Sequence, residues 1–197
     1  MSEFEDNNIA ETVKTEVQTP SQPPTGKFKK EAAEWIQAIV VAVVLALIIR
    51  TFIFTVVKVD GPSMEETLHH EERLIVWRLL YQPTQGDIII FHPAKAPEKC
   101  YVKRIIATEG QSVYVDYENN QVLVDGYPID EPYIPEAMRP IYTSKEMIVP
   151  EDSVFVMGDN RNHSSDSRDS TVGFVKKSSI LGKAVIRFWP FNKLTVF

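Results

Sequence analysis

Three short segments of this chain carry residue types from which chemistry can be built. The first is Asp60-Gly61-Pro62-Ser63-Met64-Glu65-Glu66-Thr67-Leu68. Gly-Pro ahead of Ser63 makes a sharp turn that presents a hydroxyl and leaves a backbone N–H free. A serine hydroxyl becomes a nucleophile only when a base removes its proton. The same residues satisfy the S-x-x-E capping box, so Ser63 also reads as a helix N-cap. The second segment, Cys100-Tyr101-Val102-Lys103-Arg104-Ile105-Ile106-Ala107, puts a lysine inside an apolar strand. Alternation sets Tyr101, Lys103 and Ile105 on one face and Val102, Arg104 and Ile106 on the other. Loss of hydration there lowers an ammonium pKa from about 10.4 and makes a general base of lysine. The alternative is a lysine that snorkels at a sheet edge. Cys100 reads as a packed thiol rather than a nucleophile. The third segment, from Gly158-Asp159-Asn160-Arg161 through His163, Ser164, Asp166 and Arg168, packs acids, arginines and serines into eleven residues. That density suits charge-assisted hydrogen bonds that hold a site rigid. His163 invites a Ser-His-Asp triad, but no GxSxG elbow accompanies it, since position 65 is Glu.

Composition narrows the chemistry to hydroxyls, amines and carboxylates. The 197 residues carry a formal net charge of −6 and a single cysteine, Cys100. An acidic chain lacks the basic face that a general nucleic-acid binder needs. One cysteine excludes an internal disulfide and any cysteine-cluster metal site. Four histidines without HExxH spacing, and no GxxxxGK[ST] loop, exclude zincin and P-loop readings. No metal and no cofactor is expected.

The elements that must position these segments fall into three parts. Residues 1–34 form an acidic, Pro-rich tail that ends in a basic stretch, Lys27-Phe28-Lys29-Lys30. The tail has too little apolar surface to offset its ordering entropy and reads as disordered. An apolar run then starts at Trp35. Ended at Ile49 it would be only about 22 Å of helix, whereas continued through Val57 it gives about 34 Å, enough for a bilayer core. Residues 35–57 are therefore expected to span a membrane, with Arg50 snorkelling near one face. The long leader and the missing small-x-small site argue against a cleaved signal. Three lysines precede the span and Lys58 alone follows closely, which puts the N-terminus in the cytoplasm and residues 58–197 outside. Residues 58–197 are short β-branched or aromatic runs with Gly, Asn and Asp at the turns. They predict an all-β domain, barrel-like or built of coiled sheets, with Pro128 to Pro150 as a long loop or insertion.

The order of these features closely resembles the bacterial type I signal peptidases (leader peptidases) in their single-anchor Gram-positive form. An anchor precedes Gly-Pro-Ser-Met-x-x-Thr-Leu, then Gly-Asp-Ile-Ile-Ile-Phe, then Tyr-Val-Lys-Arg-Ile-Ile-Ala, then Gly-Asp-Asn-Arg-x-x-Ser-x-Asp-Ser-Arg. The likeness runs from about Trp35 to the C-terminus. It implies a Ser/Lys dyad with Ser63 as nucleophile and Lys103 as general base, and an oxyanion donor in the Ser63 N–H. It implies that Ser164 orients the lysine, with Asp166 and Arg168 as supporting charges and Asp159 and Arg161 as a structural pair. Val59, Met64, Leu68, Tyr101 and Val102 match positions that line apolar pockets for small residues. Gly61 stands where some members carry a second oxyanion serine, and Glu66 where proline is usual. The family's fold implies an all-β domain with a small subdomain, here residues 112–155. The implied activity is removal of signal peptides from exported preproteins after Ala-x-Ala, at the cell membrane, with the bilayer and the export machinery as further partners. Two other readings share parts of the pattern: a self-cleaving Ser/Lys peptidase of the repressor type, and a non-catalytic anchored β-domain that binds envelope partners.

Overall fold

The computed structural model describes residues 25–197, with side chains from residue 30 onward. The acidic tail expected to be disordered lies outside the described residues. Helix α1 (Thr25–Ile48) passes into a π-helical turn at Ile49–Ile53. Lys30–Ile53 is long and apolar enough to cross a membrane, at about 36 Å for its length. Its large apolar side chains, Trp35 and Val40 among them, are exposed. The span expected over 35–57 is corrected at its C-terminal end. Phe54 to Val57 belong to a strand, because a short β-branched and aromatic run has no periodicity that separates strand from helix. Residues Val44–Phe197 form one compact unit and the described residues before Val44 another.

Twelve strands follow the helix: β1 (Phe54–Lys58), β2 (Arg73–Trp77), β3 (Ile88–Phe91), β4 (Tyr101–Thr108), β5 (Ser112–Asp116), β6 (Gln121–Val124), β7 (Tyr127–Pro128), β8 (Met147–Ile148), β9 (Ser153–Met157), β10 (Val175–Lys176), β11 (Ile180–Trp189) and β12 (Thr195–Val196). Eight of them form an antiparallel sheet in the order β1-β2-β11-β3-β4-β9-β10, with β12 on β11. Register shifts in β4 and β11 mark bulges, which bend strands and increase twist. The expected all-β architecture with coiled sheets is what the chain adopts. The second sheet, β7-β6-β5-β8, lies within residues 112–155, where a small subdomain was expected. It ends at Ile148 rather than at residue 155, since Ser153–Met157 pairs with β4 in the large sheet.

Both faces of the central strands are covered, which explains their unbroken apolar runs. Ile88 and Ile90 of β3 pack with Val59, Met64, Leu68 and Val102. Ile89 and Phe91 pack on the opposite face with Ile105, Val154 and Val156. A third cluster joins Val113, Val115, Val122 and Val124 of the second sheet to Ile106, Phe155 and Met157 of the first. Strand β4 thus runs through the middle of the unit, and a polar side chain at its centre is largely withdrawn from water.

Candidate active site

Lys103 is that side chain. It pairs with Ile89 in the β3–β4 register and is only 4% exposed. A snorkelling lysine at a sheet edge is thereby excluded. Its Nζ donates to Ser63 Oγ at 2.7 Å and to the Val102 carbonyl at 3.0 Å. Burial removes the hydration that favours an ammonium and pulls the Lys103 pKa down from 10.5 to about 8, against the opposing pull of Asp166 and Asp159.

Ser63 lies in a turn between β1 and β2, not at a helix N-terminus, so the capping-box reading fails. Leu68 N–H closes the turn on the Met64 carbonyl at 2.7 Å. Gly61 ahead of it has φ +91, a conformation that favours glycine, and donates its N–H to His70 Nδ1 at 3.2 Å. Behind the turn, Asn160 takes hold of its carbonyls. Asn160 N–H donates to the Ser63 carbonyl at 3.1 Å and Asn160 Nδ2 to the Pro62 carbonyl at 3.2 Å. Gly158 sits against the same carbonyl. A Cβ there would fall inside contact distance of both the Ser63 carbonyl oxygen and Ser164 Oγ. Gly158 and Asn160 open the third segment, but the sequence assigned a role to neither.

The third segment is built as interlocking ion pairs. Arg168 grips Asp166 with both Nε (2.8 Å) and Nη2 (2.9 Å), and Asp166 also accepts the Gly158 N–H at 3.0 Å. Asp159 and Arg161 do not pair with each other, which corrects the expectation. Asp159 accepts from Arg104 Nε (2.9 Å), Arg104 Nη2 (2.7 Å) and Thr67 Oγ1 (2.6 Å). Arg161 is fully buried and pairs with Glu131 of the inserted subdomain. Along a chain, neighbouring charges look like partners, whereas strand register and the insertion redistribute them. Tyr133, from the same insertion, lies 3.9 Å beneath the Arg104 guanidinium. Ser164 Oγ is buried without a hydrogen-bond partner and makes no hydrogen bond to Lys103. His163 is exposed and makes no side-chain hydrogen bond to Ser63.

A cleft of about 630 Å³ opens over the Ser63–Lys103 pair, with Val59, Met64, Tyr101 and Val102 in its walls. Leu68 does not line it. This side chain is wholly buried beneath the cleft, packed with Met64 and Val59. Cys100, expected as a packed thiol, is exposed at the cleft's edge. The arrangement is a hydroxyl and an amine in hydrogen-bond contact at the floor of a cleft of mixed polar and apolar lining, with buried carboxylates held behind them. Among the described residues no group of histidine, cysteine and carboxylate side chains could hold a metal ion.

Residues 32–189 match the family described as signal peptidase, peptidase S26. A signal peptidase I of Leptolyngbya laminosa is 40% identical over 187 residues, which cover 89% of each chain. Signal peptidase I S of Bacillus subtilis is 38% identical over 84% of this chain and 94% of its own. Signal peptidase IB of Staphylococcus aureus is 34% identical over the same shares. A crystal structure of a signal peptidase I from Enterococcus faecalis, 28% identical, aligns with a TM-score of 0.46 over 53% of this chain and 98% of that one. With four fifths of its length matched to one family and with relatives that it covers almost end to end, the chain belongs to the signal peptidase family, peptidase S26, and is a serine peptidase.

Proposed function

We propose that this protein is a membrane-bound endopeptidase that removes N-terminal signal peptides from exported preproteins by a Ser63/Lys103 dyad, cleaving after small residues of the Ala-x-Ala type. The observation that carries the proposal is the 2.7 Å hydrogen bond between a buried Lys103 and Ser63 Oγ. A lysine whose pKa lies at about 8 is neutral in a usable fraction of molecules near neutral pH.

Neutral Lys103 takes the Ser63 proton as Oγ attacks the scissile carbonyl, and an acyl-enzyme forms through a tetrahedral oxyanion. The Ser63 N–H is the oxyanion donor in this scheme, and a donor of that kind is worth about two to three orders of magnitude in rate. The Lys103 ammonium then gives its proton to the leaving amine. That amine is the new N-terminus of the mature protein, and a water activated by the again neutral lysine then hydrolyses the acyl-enzyme and frees the signal peptide with a new C-terminal carboxylate. Ser164 serves as the hydroxyl that orients Lys103 once substrate is engaged, since catalytic hydrogen bonds often tighten only then. The Asp166–Arg168 pair holds the Gly158 backbone, and Asp159 and Arg161 hold their segment to β4 and to the insertion.

Substrate binding follows from the sheet edge and the cleft. Strand β1 ends the sheet, so an extended peptide adds beside Val56 to Val59 through main-chain hydrogen bonds. Val59, Met64, Tyr101 and Val102 then supply shallow apolar walls suited to alanine-sized side chains. Ser63 follows the apolar helix by only ten residues of chain, which keeps it near a substrate whose own apolar segment lies in the bilayer. Lysine asymmetry about that helix supports a cytoplasmic N-terminus and an extracytoplasmic catalytic domain at the cell membrane. The lipid bilayer and the export machinery are its further partners. The test is incubation of the purified full chain with a radiolabelled preprotein, beside Ser63→Ala. Cleavage by the parent and none by the variant is expected, and equal cleavage by both would overturn the dyad.

A further inference from the structure

Glu131 lies between β7 and β8, far in sequence from either member of the dyad, and its side chain is only 6% exposed. Three donors share its carboxylate. Arg161 Nη2 and the Tyr133 hydroxyl donate to Oε1, the latter at 2.9 Å, and Arg161 Nη1 donates to Oε2 at 3.1 Å. Neither partner ends there. Arg161 Nε donates to the Gly158 carbonyl at 3.1 Å, and Gly158 is the glycine crowded by the Ser63 carbonyl and Ser164 Oγ. The Tyr133 ring lies against the Arg104 guanidinium, which grips Asp159, and Asp159 in turn accepts from Thr67 Oγ1 in the Ser63 turn. Two chains of contact thus run from one carboxylate to the Ser63 turn, one arriving at the Ser63 carbonyl and the other at Thr67.

Stability alone is a poor reason for this arrangement. A buried ion pair adds little net stability, and apolar residues of similar volume often replace one without loss. Placement is a better reason. A shift of about 1 Å at a reacting group costs about a hundredfold in rate, and the Gly158 carbonyl and Thr67 are points at which the Ser63 turn can shift. Separate bonds dock the rest of the segment. Asn162 Nδ2 donates to the Glu136 carboxylate at 2.8 Å and to the Ala137 carbonyl at 2.9 Å, and the Arg139 N–H donates to Asn162 Oδ1 at 2.8 Å. Loss of the Glu131 charge therefore leaves residues 136–139 attached to the third segment.

We infer that Glu131 is a positioning residue for the reaction, an inference that rests on the Ser63/Lys103 reading. Its carboxylate bonds to neither member of the dyad. It holds the Ser63 turn at the distance from Lys103 that proton transfer needs, through Arg161 on one side and through Tyr133 and Arg104 on the other.

Glu131→Gln keeps the shape of the side chain and removes its charge. In the purified full chain in detergent, at a temperature where circular dichroism shows the variant folded, kcat for preprotein cleavage should fall about 10- to 100-fold. KM should change by less than about twofold, because the substrate walls are untouched. Amide hydrogen exchange reads position without any cleavage. The Asn160 N–H, bonded to the Ser63 carbonyl, should exchange at least about tenfold faster in the variant while the amides of β4 keep the parent rate. A double variant, Glu131→Met with Arg161→Met, removes both buried charges and should melt close to the parent. It leaves the Gly158 carbonyl without its guanidinium, so kcat should stay low. Parent kcat in Glu131→Gln, parent exchange at Asn160, or kcat restored in the double variant would overturn the assignment. Fast Asn160 exchange in Glu131→Gln, beside a parent protein that cleaves no preprotein, would uphold the positioning and overturn the Ser63/Lys103 reading instead.

Discussion

Raising the pH from about 6 to about 10 across a single-turnover cleavage assay titrates the proposed base directly. Burial holds Lys103 at about 8, against its ordinary 10.5. At that value about a tenth of the molecules carry a neutral amine at pH 7 and about nine tenths at pH 9. A solvated lysine would be neutral in roughly one molecule in 3,000 at pH 7, so burial raises the supply of base about 300-fold. The logarithm of the rate should therefore climb with unit slope up to about pH 8 and level above it, which puts the optimum on the alkaline side of neutrality. Lys103→Arg completes the experiment. Guanidinium keeps the charge and much of the reach but does not release its proton in proteins. That variant should be as inactive as Ser63→Ala while still folding and inserting. A rate independent of pH between about 7 and 9, or Lys103→Arg at a tenth of the parent rate, would refute Lys103 as the base.

Gly158→Ala forces a Cβ into the Ser63 carbonyl and Ser164; it should cost about 1–3 kcal/mol by denaturant titration and most of the preprotein cleavage. Ser164→Ala should lower kcat by about one to two orders of magnitude with KM little changed, as expected of an orienting hydroxyl, while His163→Ala, which alters an exposed ring, should keep most of the rate. Lys103→Met removes a buried amine whose charging opposes folding, a penalty of about 3 kcal/mol that is fully present below pH 8. The variant should therefore melt several degrees above the parent at pH 7, and the gap should narrow as the pH rises from about 8 towards 10.5. A tag placed at residue 2 should be protected from protease added outside intact cells, and digestion of that tag would reverse the proposed orientation.

What could be read in the sequence was whatever depends on chain-local pattern. The apolar runs of β2, β3, β4 and β9 are strands because β-branched residues bounded by turn residues are a local signal. Ser63 and Lys103 could be singled out because Gly-Pro and an apolar strand mark their surroundings within a few residues. Partnership across the fold was not legible. Asp159 and Arg161 are two residues apart and look like a pair, yet register puts Arg104 on Asp159 and the insertion puts Glu131 on Arg161. Leu68 and Cys100 exchange their expected exposures, since depth is decided by what packs above a residue. Phe54 to Val57 continued an apolar run that only pairing with β2 separates from the helix.

The buried arginines have an electrostatic reason beside their structural one. A neutral lysine in contact with Ser63 requires a low local preference for positive charge, but Asp159 and Asp166 behind it both favour the ammonium. Removing these carboxylates would free the Thr67 hydroxyl and the Gly158 N–H that they accept. A guanidinium placed on each carboxylate keeps the acceptor oxygens and cancels much of their field. Arg104 meets Asp159 through two nitrogens and Arg168 meets Asp166 through two. Planar two-point contact suits arginine and not lysine, and the guanidinium stays charged throughout the working range. Such pairs add little net stability when buried, yet breaking one strands a charge at a cost of about 3–5 kcal/mol. Desolvation thereby remains the dominant influence on Lys103, and its pKa falls despite two carboxylates in the same wall.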